Sequence, residues 1–153
     1  MSHPRARGDR GQVGGMEALP FGLLVFVLGA LLIANAWAVV DAKFATDAAA
    51  RQAARTFVEG ADTSTALQRA EDAARDAIAG HGRDPSRAEV HPVGSPALVR
   101  CARATFEVTY TVPALSLPII GGYGRAPFLV RSTHTELVDP FRDGLPGDAE
   151  DCT

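Results

Sequence analysis

The sequence predicts an α+β chain: one long N-terminal helix, a second alanine-rich helix, then a small antiparallel β-sheet. Three observations carry this expectation. An uncharged apolar run, Ala18 to Val40, passes into an alanine-rich stretch that meets no helix breaker before Gly60. Alanines then recur at helical spacing as far as Ile78. Beyond Asp84 the period changes, and Phe106, Val108, Tyr110 and Val112 alternate with Glu107, Thr109 and Thr111, as in a half-buried strand.

The apolar run is 23 residues long, and Asn35 is its one strongly polar side chain. At about 1.5 Å per residue it spans about 35 Å, enough to cross a hydrocarbon core about 30 Å thick. A buried helix of a soluble protein would rarely stay uncharged for so long in a chain of 153 residues. The run therefore reads as a membrane anchor. Pro20 lies in its first turn, where a missing N–H costs nothing, and Glu17 just ahead suits the positive end of the helix dipole. Gly22, Gly29 and Ala30 are small enough to admit a neighbouring helix, though no GxxxG is present.

Three segments follow from this reading: residues 1–17, a basic arm or leader; 18–40, a transmembrane helix; and 41–153, an extracytoplasmic α+β domain. The arm holds Arg5, Arg7 and Arg10 and has no apolar periodicity. The apolar run exceeds a secretory h-region and no A-x-A-like site follows a short core, so a signal-anchor is expected over a cleaved signal. Orientation is nearly balanced on charge alone, because Lys43, Arg51 and Arg55 flank the far end about as densely as the arm flanks the near one.

The first helix is expected to continue out of the membrane to residue 59, with Asp47–Arg51 and Arg55–Glu59 as i,i+4 pairs. Ala45, Ala49, Ala53 and Phe57 line the opposite side. After the turn at Gly60-Ala61-Asp62, a second helix is expected over 64–79, opened by a Thr65-x-x-Gln68 capping box and stopped at Gly80. Its face of Ala66, Leu67, Ala70, Ala73, Ala74, Ala77 and Ile78 buries little area per residue and favours close contact over a thick core.

In the strand half, Val90 to Val93 is a weak edge strand broken by Pro92. The main strand runs from Ala104 to Val112, with a start as early as Leu98 that would include Cys101. Another strand is expected over Phe128 to Val138. The 113–127 connection between them is rich in glycine and proline yet apolar. Its Leu115, Leu117, Ile119, Ile120 and Tyr123 either fold back over the sheet or offer an interaction patch to a partner or a membrane.

Composition bounds function. The net charge is −3 and the basic residues are scattered, which gives no nucleic-acid footprint. His3, His81, His91 and His134 lack metal-ligand spacing, and no nucleophile elbow, P-loop or dinucleotide fingerprint occurs. No catalytic residue, metal or cofactor is assigned, and the chain reads as a non-enzyme. Cys101 and Cys152 are too far apart for a CxxC pattern. They are inert thiols if the domain is cytosolic, and a disulfide tying the tail to the body if it lies outside.

The arm ending in RGQVGGMEALPFG, the helix running on through VVDAKFATDAAARQAARTFVE, and the TVPALSLPIIGGYG turn together resemble the TadE-like pseudopilins of bacterial Tad (Flp) pilus systems. The resemblance spans nearly the whole chain. It implies a pilin-like plan, with the N-terminus inside the bacterial cytoplasmic membrane, the domain outside, and Cys101 paired with Cys152. Implied partners are other pilin subunits, the membrane assembly machinery, the lipid bilayer and a prepilin peptidase that cuts after a glycine. The candidate leader ends are Gly11, Gly14 and Gly15, with Glu17 following them by six, three and two residues. In the family the helix glutamate pairs with a neighbour's new α-amino group, the role that falls to Glu17 here. An alternative is a membrane-anchored extracytoplasmic binding module with no pilus.

Overall fold

A computed structural model describes residues 18–113, 127–148 and 152. Helix α1 (Ala18–Val58) is a single unbroken helix of 41 residues. Helix α2 (Thr63–Gly80) returns against it. A short 3₁₀ turn (Pro85–Arg87) then leads into three strands, β1 (Ala88–Pro92), β2 (Arg103–Val112) and β3 (Phe128–Leu137). The strands form one antiparallel sheet in the order β1-β2-β3. The α+β plan is therefore the one the residue pattern predicts.

The two halves of α1 have different surroundings. From Leu19 to Ile33 the large apolar side chains are exposed or, at Leu31, half-buried. From Ala42 onward one face is fully covered, with Ala42, Ala45, Ala49, Ala50, Ala53, Ala54 and Phe57 all at 0% exposure. Those alanines let α2, β2 and β3 approach α1 closely. The opposite side carries the expected Asp47–Arg51 and Arg55–Glu59 ion pairs, both exposed and so worth little each.

Helix α2 places Ala66, Ala70, Ala74 and Ile78 in the core, on the predicted face. Its ends differ from expectation. The N-cap is Asp62, in extended backbone (φ −137°, ψ 152°), and its carboxylate accepts from the Thr65 N–H at 2.9 Å. Thr65 is thus the third helical residue and not the cap. A carboxylate is a stronger acceptor than a hydroxyl and complements the helix dipole, which favours the earlier start. The helix also runs through Gly80 to a cap at His81, and Gly82 takes the left-handed conformation (φ 70°). Gly82 N–H donates to the Ala79 carbonyl (2.8 Å) and Arg83 N–H to that of Ile78 (3.2 Å), which makes a Schellman closure.

Gly60 makes the sharp return between the helices possible. It is buried, its N–H donates to the Phe57 carbonyl at 2.9 Å, and a Cβ there would overlap the Cβ of Ala66.

Strand β2 follows its binary pattern: Ala104, Phe106, Val108, Tyr110 and Val112 face the helices and are buried. The Phe106 ring meets Phe57 of α1 with centroids 5.4 Å apart, a tilted aromatic pair. The strand does not extend back to Leu98. Cys101 sits in a turn at φ 64°, and Ala102 N–H donates back to the Val99 carbonyl at 3.0 Å. Strand β1 is an edge, as its Pro92 allows. In β3 the pleat that places Val130 and Ser132 in the core leaves Leu129, Arg131, Thr133 and Thr135 exposed.

Candidate functional site

The region where α1 changes from bare to covered is the candidate site, because there the apolar helix is joined to the domain. Two side chains, Arg83 and Lys43, build it. Arg83, the residue after the α2 closure, reaches α1 with Nη2 2.6 Å and Nε 3.0 Å from Asp41 Oδ2. The same Nη2 donates to the Ala38 carbonyl at 2.9 Å. Its guanidinium lies 5.5 Å from the centroid of the buried Tyr110 ring, and its side chain is 14% exposed. A planar, permanently charged fork can satisfy carboxylate, carbonyl and ring face together, which an ammonium could not.

Lys43, the chain's one lysine, ties α1 to β3. Its Nζ donates to Ser132 Oγ at 2.7 Å and to the Arg131 carbonyl. Val138 N–H donates to the Ala102 carbonyl and Val93 N–H to that of Thr105, which fixes the alternation of the ladder. The odd-numbered residues of β3 therefore turn their backbone groups away from β2. The Arg131 carbonyl is one of these outward groups. Arg131 itself pairs with Glu107 of β2 at 3.4 Å. Ahead of this collar, Asn35 donates to the Leu31 carbonyl at 2.9 Å, so its amide is served within α1.

At the far end of α1, Arg142 performs a similar task. It donates to the carbonyls of Val58, Glu59 (2.9 Å) and Gly60 (2.7 Å), the orphan acceptors of a helix C-terminus. Arg100 holds this segment in turn by donating to the Arg142 carbonyl at 3.1 Å. An open hollow of about 370 Å³ lies beside it, lined by Val58, Glu59, Leu137, Asp139 and Arg142. Its one guanidinium is already committed to the helix end. Among the described residues no group of three or more His, Cys, Asp or Glu is placed to hold a metal ion. His134 instead lies 3.2 Å from Glu136 on the same strand.

The structure brings Cys101 and Cys152 together as a disulfide, with Cα atoms 4.8 Å apart across 51 positions of sequence. Gly11, Gly14, Gly15 and Glu17 lie outside the described residues, as do Leu115, Leu117, Ile119, Ile120 and Tyr123. None of Arg83, Lys43, Ser132, Tyr110 and Arg142 was assigned a site role from sequence; Lys43 was read only as a charge flanking the anchor and Tyr110 only as a strand residue. Only the uniqueness of Lys43 and the position of Arg83 just after a glycine stop could have marked two of them.

The residues from 18 to 40 form the early part of a helix long and apolar enough to cross a membrane. Among the described residues, none from 18 to 40 is buried. No family model, curated protein or solved structure matches the chain.

Proposed function

We propose that this chain is a non-enzymatic minor pilin or pseudopilin of the TadE-like kind, acting in Tad-type pilus assembly or associated secretion. The carrying observation is that one unbroken helix is bare and apolar over its first half and forms the spine of a domain over its second. A subunit of that shape can be held in the bilayer before assembly and pack its exposed half against neighbouring helices afterwards. The disulfide supports a domain outside the cytoplasm, where such bonds persist. With the domain outside, the sequence before Ala18 belongs to the cytoplasmic side, where a prepilin peptidase cuts, and Glu17 immediately precedes the apolar run, a setting in which a carboxylate needs a cationic partner.

The test is intact mass and N-terminal sequencing of membrane-purified protein, with a prepilin peptidase present and absent. The proposal expects loss of a leader ending at Gly11, Gly14 or Gly15. It further expects that Glu17→Gln inserts normally but fails to enter a complex with other pilin-type subunits. An unprocessed chain that stays monomeric in detergent would overturn it and favour a stand-alone anchored binding module.

A further inference from the structure

We infer that the domain rests on the membrane surface through the N-terminal end of β3, where Phe128 and Leu129 form a second lipid contact beside the helical anchor. This rests on reading residues 18–40 as a membrane span. The occupant is a lipid surface, and the argument is one of level along α1.

Two links fix that level. Lys43 binds Ser132 and the Arg131 carbonyl, while Val58 and Glu59 share a hollow with Leu137 and Asp139. Strand β3 therefore runs alongside α1 in the same direction. The spacings agree: fifteen helical residues from Lys43 to Val58 and six strand residues from Ser132 to Val138 each advance about 20 Å. Independently, Arg83 joins the Ala38 carbonyl to the ring of Tyr110, whose partner across the ladder is Val130. Phe128 and Leu129 precede Val130, so they lie further toward the N-terminus of α1, about level with Trp37. That level falls inside the uncharged 18–40 run.

The chemistry of this end suits an interface. Trp37, Phe128 and Leu129 are exposed large apolar residues, Leu129 at 70%. Val40 and Phe44, one and two turns further along α1 from Trp37, are exposed as well. Charged groups gather from this level onward: Asp84 pairs with Arg87 just ahead of β1, Asp41 follows Val40 and is held by Arg83, Lys43 reaches the outer carbonyl of β3, and Arg131 holds Glu107. Apolar and aromatic groups intermixed with paired charges match the boundary between acyl chains and headgroups. Val112 pairs with Phe128, so the last residue of β2 lies at this same end of the sheet. Because this end shares a level with the anchor, it needs no separate recruitment to lipid.

The full-length chain in phosphatidylcholine–phosphatidylglycerol vesicles tests this by fluorescence. In wild type, Trp37 is the sole tryptophan and reports the anchor. A Trp37→Phe, Leu129→Trp double variant reports β3, and Phe128→Trp replaces the second change if that variant loses wild-type circular dichroism. Vesicles carry lipids brominated either near the headgroup or deep in the chains. The expected result is a blue-shifted β3 reporter that loses most of its emission to shallow bromines and little to deep ones. A reporter with the emission of indole in water and no quenching by either lipid, while Trp37 remains quenched, overturns the second contact and leaves the anchor standing. An unquenched Trp37 in wild type overturns the anchor itself.

Discussion

Gly60→Ala is the smallest change that should open the contact between the two helices. The added methyl would overlap Ala66 Cβ and stand 3.0 Å from the Phe57 carbonyl oxygen and 3.2 Å from Ala66 Cα. Both neighbours are fixed: Ala66 and Phe57 are at 0% exposure, and the obstructing atoms are backbone or the first side-chain carbon. Neither can rotate away, so α2 must shift. Overpacking of this kind costs about 1–3 kcal/mol. Ala66→Gly alone should cost roughly 2 kcal/mol, from about 1 in helix propensity and about 0.8 in lost methyl burial. Together the substitutions remove the worst overlap and leave only the two tight backbone contacts. The double variant should therefore be more stable than the sum of its parts by about 1–2 kcal/mol. Urea unfolding of the full chain in mild detergent, followed by far-UV circular dichroism, measures all four corners of the cycle. A wild-type midpoint for Gly60→Ala, or strict additivity in the double variant, would refute the steric argument.

Two further outcomes are expected. Replacing Cys101 and Cys152 together by serine opens a loop of 51 positions, for which chain entropy gives a loss of about 4 kcal/mol. The urea midpoint should fall accordingly, and thiol labelling of exported wild type that is equal with and without reductant would contradict the bond. Asp62 is held below the ordinary carboxylate value of 3.8, first by the Thr65 N–H and then by the hydroxyls of Ser64 and Thr65. Because its folded value is the lower one, its contribution to stability is present above about pH 3.8 and fades as pH falls through the folded value. Asp62→Ala should therefore lower the unfolding midpoint near neutrality and converge on wild type in acid. An equal gap at every pH would show that the carboxylate charge is not what caps the helix.

How far the sequence could be read depended on whether a residue's partner lay nearby in the chain. The alanine face of α1, the alternation of β2 and the edge character of β1 are local patterns, and each reappears in the structure. The ends of α2 were harder, because Asp62 and Thr65 both suit a cap and Gly80 and Gly82 both suit a stop. Asp62 won by charge, and Gly82 by its positive φ. Cys101 fell off the strand because its turn is set by backbone bonds to Val138 and between Ala102 and Val99. The collar was the least legible part. Arg83 and Asp41 are 42 positions apart, Lys43 and Ser132 are 89, and nothing in either local context announces the other. Paired cysteines were visible as a possibility, but only folding brings their Cα atoms to 4.8 Å.

The unbroken course of α1 has a consequence for torsion. With no hinge between its apolar half and the covered half, the compass bearing of the domain is locked to that of the helix in its surroundings. One residue added near Ala34, before the first tie to Arg83, would turn the domain by about 100° and displace it by about 1.5 Å. Seven added residues would restore the bearing to within about 20° while moving the domain by about 10 Å. Phase and height are thus written in the residue count of a single helix, as on a threaded shaft. Any neighbour that grips the apolar half also dictates which side of the sheet faces it.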